Sequence, residues 1–167
     1  MNCVAVIAGA LLVAAGAQIS IPMVPVPATL QTLAICLLGL ALGPWRAALA
    51  LTAYLALVLA DLPVLSSLQQ VGGSQFVRFP SAGYVVGFIP AAAFIGWFGG
   101  LDVRAGRIFA ACILGHAIIL ACGVGVLAAW IGINDAFTKG VLPFIPGMIV
   151  KSAVATGLVY AWRAAKS

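Results

Sequence analysis

One lysine stands where a charge is expensive. Lys151 follows Pro146-Gly147, four positions into an apolar stretch that ends near Trp162. Four helical residues rise ~6 Å, so the ammonium starts below the end of its helix, in weakly polar surroundings. A cation at that depth points by default to function, and its natural partner is an anionic ligand group such as a carboxylate. Two plainer readings stand beside it. The four-carbon stem can snorkel back to an interface, or Asp135 can pair with it. Arg78, at the end of a long loop, is either a second ligand cation or a loop arginine facing water.

A second polar group lies in Pro25-Val26-Pro27-Ala28-Thr29-Leu30-Gln31-Thr32. The prolines stiffen the approach, and Thr29, Gln31 and Thr32 place hydrogen-bonding groups at a helix mouth. Thr29 can simply cap that helix while Gln31 satisfies nearby backbone; equally, a buried glutamine can serve a ligand. His116 is the lone histidine, with no second ligand type near it, so a neutral imidazole bonded to a neighbouring helix is expected and a metal site is not. Asp61, Asp102 and Asp135 stand singly, and no pair suggests acid–base catalysis. There is no P-loop and no H-E-x-x-H, so the chain has no means of its own to hydrolyse ATP. Gly72-Gly73-Ser74 together with His116 admits an intramembrane serine hydrolase. That alternative is disfavoured by geometry, because serine and histidine are expected on opposite sides and must come within hydrogen-bond reach.

The elements that position these residues follow from composition. Of 167 residues, 65% are hydrophobic and 7% charged, and glutamate is absent. Ordinary soluble domains carry about 25% charged residues, so a soluble enzyme, a nucleic-acid-binding module and a disordered chain are excluded. The net charge of +5 is spread one or two residues at a time, which reads as membrane topology and not as a phosphate-binding surface. Cys3, Cys36, Cys112 and Cys122 show no C-x-x-C spacing and read as small buried hydrophobes. Met1–Ala17 lacks the basic start of a signal peptide and is kept as a membrane helix.

The predicted fold is all-α, one domain over residues 1–167, with six transmembrane helices. The spans are Cys3–Gln18, Leu30–Leu42, Arg46–Ala60, Ser81–Phe98, Ile108–Ile131 and Gly147–Trp162, divided by proline and glycine. Arg46, Arg104, Arg107, Arg163 and Lys166 fall on one side; Arg78, Lys139 and Lys151 fall on or near the other. The excess places both termini in the cytoplasm. The outer loops, Ile19–Thr29, Asp61–Pro80 and Gly132–Pro146, are long and carry most of the polar side chains, as binding loops do. In the first span Ala5 with Gly9, and Ala10 with Ala14, form small-residue steps that let helices approach closely, within the chain or against a membrane partner.

Several stretches resemble the BioY family of biotin transporters: Gln18-Ile19-Ser20-Ile21-Pro22, the Pro25–Ala34 segment, Leu42-Gly43-Pro44-Trp45-Arg46, Pro80–Phe88 and Gly140–Gly147. They run in the right order over nearly the whole chain. The resemblance implies the substrate-binding S component of an energy-coupling-factor transporter, a six-helix protein of the cell membrane that captures biotin from outside without chemistry of its own. It implies no cofactor, a transmembrane coupling protein as partner, and two cytoplasmic ATPase subunits that alone hydrolyse ATP. It places Lys151 at the biotin carboxylate and Thr29, Gln31 and Tyr84 at the pocket. Gly72, Gly73 and Gln75 fall in a glycine-rich loop covering the ligand. Ala5, Gly9, Ala10 and Ala14 fall on the helix that meets the coupling protein. The sequence departs from the family pattern at Met148, where the family usually has Asp.

Overall fold

The protein, described by a computed structural model over residues 3–66, 73–100 and 104–165, is built almost wholly of helices. Helix α1 (Cys3–Gln18) ends ahead of Pro22, Pro25 and Pro27, which cannot continue a helix. The chain doubles back through a two-residue antiparallel pair, Ser20–Ile21 (β1) with Ala28–Thr29 (β2), a small departure from the all-α expectation. The Leu30 amide donates to both Gly16 O and Ile19 O, at 3.2 and 3.0 Å, and so ties the end of α1 to the start of α2 (Gln31–Leu42). Gly43 turns the chain at φ +77°, a conformation that a side chain would strain, and Pro44 opens α3 (Pro44–Leu59) where its missing N–H is not needed.

A single turn, α4 (Gly73–Phe76), precedes the longer helices α5 (Ala82–Gly99) and α6 (Ala105–Ile131). The stretch Gly132–Pro146, expected as loop, instead contains α7 (Ile133–Gly140) and a 3-10 turn at Leu142–Phe144. Its signal is present in Ile133, Ala136, Phe137 and Gly140, apolar or small at helical spacing, with Asp135 and Lys139 closing an exposed i,i+4 ion pair of 2.7 Å. Helix α8 (Ile145–Ala164) begins two residues earlier than expected, since Pro146 is tolerated in a first turn.

By length and composition, Ala82–Gly99, Ala105–Ile131 and Ile133–Ala164 can each cross a membrane. Helices α1, α2 and α3 are apolar but shorter, at 16, 12 and 16 residues. At 1.5 Å per residue they extend ~24, ~18 and ~24 Å against a hydrocarbon core of ~30 Å. The six spans read from sequence thus correspond to three long helical stretches and three short ones.

Helix α5 is central and packs against α2, α3 and α6; α1 lies on α2 and α3, and α8 on α2 and α6. The interior holds Ile35, Leu51, Tyr54, Ile95, Ile108 and Leu127, and the outside is just as apolar, with Val4, Ile7, Trp45, Trp97, Val150 and Leu158 exposed. A surface of that kind belongs against lipid. In lipid, close packing and not water exclusion draws helices together, so the small residues matter most. Helix α1 turns Gly9 and Ala10 inward, Gly9 against Ala50 and Leu38, and leaves Ala5 and Ala14 half-buried. The four-residue ridge read from sequence is therefore partly consumed by the chain's own packing, because its members do not share one outward face.

At the end carrying the C-terminus, the Arg163 guanidinium donates to Leu40 O and Gly100 O, at 3.0 and 2.8 Å. Carbonyls in the last turn of a helix lack an amide partner along that helix, and an arginine can supply the missing donors. An arginine read as a topology signal thus also joins three helix ends.

Candidate functional site

The polar residues meet at the opposite end, where α2, α5 and α8 begin. Between them lies a cleft that opens to solvent at its mouth, about 600 Å³ when the open space at the mouth is counted in. Val26 and Pro27 close one side. The first turn of α2 contributes Gln31 and Thr32, preceded by Thr29, while α5 supplies Ser81, Tyr84, Val85 and Phe88, spaced at one helical face. His116, Ile119 and Leu120 of α6 and Phe144, Met148 and Lys151 complete the wall.

Lys151 is half-buried, and its ammonium donates to Thr29 O at 2.6 Å and Thr32 Oγ1 at 3.0 Å. Both partners are neutral. Asp135, the alternative partner read from sequence, is paired with Lys139 instead. Lys151 also lines an adjoining cavity, walled by Ile21, Met23, Leu30 and Pro143, and with Thr29 and Phe144 stands on the partition between the two spaces. Met148, one turn before Lys151, faces the first cavity, so the position where the resemblance implied a carboxylate is apolar here.

Gln31 is held from both ends. Its Nε2 donates to Tyr54 Oη at 2.6 Å, and its Oε1 accepts from Thr29 Oγ1 at 3.0 Å. Tyr54 in turn donates to Val64 O at 3.0 Å, linking α3 and the following loop to the site. Thr29 is not the N-cap; Leu30 holds that position, and Thr29 Oγ1 accepts the Gln31 amide at 3.3 Å. Tyr84 donates to Gly140 O at 2.9 Å and so braces α5 against α7. Its ring lies on α6 at Gly123, where even one added methyl group would collide with it.

His116 is buried against α6's own backbone, with Nδ1 2.9 Å from Cys112 O. Because a carbonyl only accepts, Nδ1 carries the proton. Ser152 Oγ lies 3.3 Å from the same nitrogen, so this serine–histidine contact is not a nucleophile beside its base.

The structure therefore brings together Thr29, Gln31, Tyr84 and Lys151 of the residues expected at a site. It leaves Gln75 and Arg78 exposed, outside both cavities, and Gly73 at the start of α4. Gly72 lies outside the described residues. Sequence reasoning missed Tyr54, Ser81, Phe88 and Phe144 at or behind the site. The spacing Ser81, Tyr84, Val85, Phe88 is a usable signal, whereas nothing local marks Tyr54. Among the described residues, no group of three or more His, Cys, Asp or Glu could hold a metal.

Comparison with known proteins gives a consistent answer. The model of the BioY family matches residues 1–167. A probable biotin transporter BioY of Pyrococcus horikoshii is 39% identical over 144 residues, covering 86% of this chain and 85% of that one. The biotin transporter BioY of Rhodobacter capsulatus is 39% identical over 168 residues, with coverage of 90% and 85%. A solved S-component for biotin from an ECF-type ABC transporter superposes with a TM-score of 0.84 at 25% identity, covering 97% of this chain and 90% of that one.

Proposed function

The chain belongs to the BioY family, and from that premise we infer that it takes up biotin as the substrate-binding subunit of an ECF-type transporter. The observation that carries the reading is Lys151, a half-buried cation on the partition between two cavities, bonded among the described residues to two neutral oxygens. Biotin is a mostly apolar bicycle with a urea edge and a carboxylate on a flexible tail. The apolar wall of Val85, Phe88, Ile119 and Leu120 suits the bicycle, and Lys151 retains a donor for the carboxylate. Gln31 and Thr29 then serve by holding the helix mouth, and Tyr84 by shaping the wall.

In this reading all six apolar helices cross the cell membrane, with both termini in the cytoplasm and the cavity opening outward. The subunit performs no chemistry itself. A transmembrane coupling protein and two ATPases energise it, and the outward apolar face of α1, with Val4, Ile7 and Leu11, is a surface for the first of these. Gly73 and Gln75 of α4, with Arg78 just after it, would lie over the bound ligand in this reading.

Equilibrium binding of labelled biotin to the purified chain tests the reading. Saturable binding is expected, displaced by unlabelled biotin and not by other small anionic vitamins. Displacement by another vitamin at lower concentration would reassign the substrate, and absence of binding would refute the reading.

A further inference from the structure

Helix α6 carries a stripe, Ala117, Leu120, Ala121 and Val124, at the i, i+3, i+4, i+7 spacing of one helical face. The stripe floors a groove on the outside of the bundle, and Ala117 and Ala121 are exposed in it. Ile145 and Met148 form the far side, and Phe137 and Val141 stand at the end where α6 leaves and α8 enters. Every residue lining the groove is apolar, and with its open side counted in it measures about 670 Å³.

The occupant follows from α7. Along that helix Ile133, Ala136, Phe137 and Gly140 share one half of the circumference, and Asn134, Asp135, Thr138 and Lys139 share the other. A helix so divided lies along a membrane surface with its polar half to water. The groove beneath Phe137 is therefore at hydrocarbon depth. From Val124 to Ala117 it runs ~10 Å, about a third of a hydrocarbon core of ~30 Å. Water is no match for it, because a bound water needs polar partners. A partner's transmembrane helix, ~10 Å across, would have to run through Phe137 and Val141 to cross the bilayer. A single acyl chain, thin and ending in a headgroup at the level of α7, meets both limits.

The groove is also coupled to the ligand cavity. Leu120 and Met148 line both, so two half-buried side chains separate one space from the other. Met148 is unbranched and changes rotamer readily, so whatever lies behind it decides where it sits. A chain in the groove holds it against the cavity; an empty groove lets it swing outward and widen the cavity. We propose that the groove between α6, α7 and α8 binds one acyl chain of a phospholipid in the leaflet at the cavity end, and that this chain tightens biotin binding by backing Leu120 and Met148. The coupling rests on the biotin reading, whereas the lipid site does not.

Two measurements test the proposal. In the first, the chain is placed in dioleoylphosphatidylcholine nanodiscs doped with a phosphatidylcholine bearing a mid-chain diazirine, irradiated, and its adducts mapped by mass spectrometry. Adducts should concentrate on the groove residues. Ala121→Phe, which fills the groove with the protein's own ring, should lower them several-fold and leave those around Val154, exposed elsewhere on α8, unchanged. Groove labelling no denser than that around Val154, or indifferent to Ala121→Phe, would overturn the site.

In the second, biotin affinity is compared in the same bilayers and in digitonin after phospholipid is stripped away. The unmodified chain should bind about fivefold more weakly in digitonin, the low end of ordinary coupling between sites, and recover when phosphatidylcholine is returned. Ala121→Phe should bind alike in both media, because its ring takes the lipid's place. Val154→Phe adds the same ring where it lines neither the groove nor either cavity, and should keep the unmodified chain's lipid dependence. Equal affinity of the unmodified chain in both media overturns the coupling, as does an Ala121→Phe protein that remains as lipid-dependent. Should Ala121→Phe not fold, Ala117→Leu on the same floor replaces it in both measurements. If the unmodified chain binds no biotin in bilayers, the biotin reading and the coupling fall together, and the photolabelling still decides the site.

Discussion

The Lys151 ammonium lies 2.6 Å from the carbonyl oxygen of Thr29, joining α8 to the mouth of α2 across 122 residues of chain. With Thr32 Oγ1 as its second acceptor at 3.0 Å, the cation is oriented before any ligand arrives. Preorganisation of this kind lowers the cost of binding an anion.

Lys151→Ala is expected to weaken biotin binding by about ten- to a hundredfold, the scale of a hydrogen bond to a charged group. Biotin methyl ester should lose much less. Titrating both ligands into the variant checks this, and an equal loss for the two would end the carboxylate role.

Tyr54→Phe removes the acceptor of Gln31 Nε2 and the donor to Val64 O while keeping the ring's volume. Leaving the buried glutamine unsatisfied should cost about 1–3 kcal/mol, seen as a lower melting temperature in detergent. A melting point within error of the parent protein would show that the bridge is not structural.

Gly123 and Gly125 lie two residues apart on α6 but face different surroundings. An added methyl group at Gly123 meets the Tyr84 ring, whereas at Gly125 it meets nothing within 4 Å. Gly123→Ala should therefore destabilise by about 1–3 kcal/mol and disturb the cavity wall, with weaker biotin binding. Gly125→Ala should be neutral or slightly stabilising, since alanine is the better helix former. Melting curves and binding of the two variants compared side by side decide the matter.

Topology is checked by impermeant thiol labelling in a cysteine-free background. Lys139→Cys should be labelled from outside intact cells, and Arg104→Cys only after the membrane is opened. The reverse pattern would invert the proposed orientation, and with it the direction from which the cavity is filled.

Much of the helical framework is legible in the residues. Proline and glycine mark the ends of α1, α2 and α5 within a residue or two because their effect is local. Helix α7 escapes a reading that takes polar residues for loop, although Asp135 and Lys139 stand at helical spacing. The small-residue steps on α1 show another kind of limit. Ala5, Gly9, Ala10 and Ala14 permit close approach, but which neighbour approaches depends on how the helix is rotated in the bundle. For Gly9 and Ala10 that neighbour is the chain itself.

Composition alone determined that this chain belongs in lipid, and the cost of an intramembrane cation singled out Lys151 from its position in the sequence. Those conclusions depend on how each residue partitions between water and hydrocarbon. What surrounds Lys151 was decided only by the fold. Thr29 and Thr32 come to it from more than a hundred residues away, Asp135 turns to Lys139, and His116 meets Cys112 O. Partition energies belong to single residues, whereas hydrogen-bond partners depend on helix rotation and depth, which no local stretch of sequence encodes.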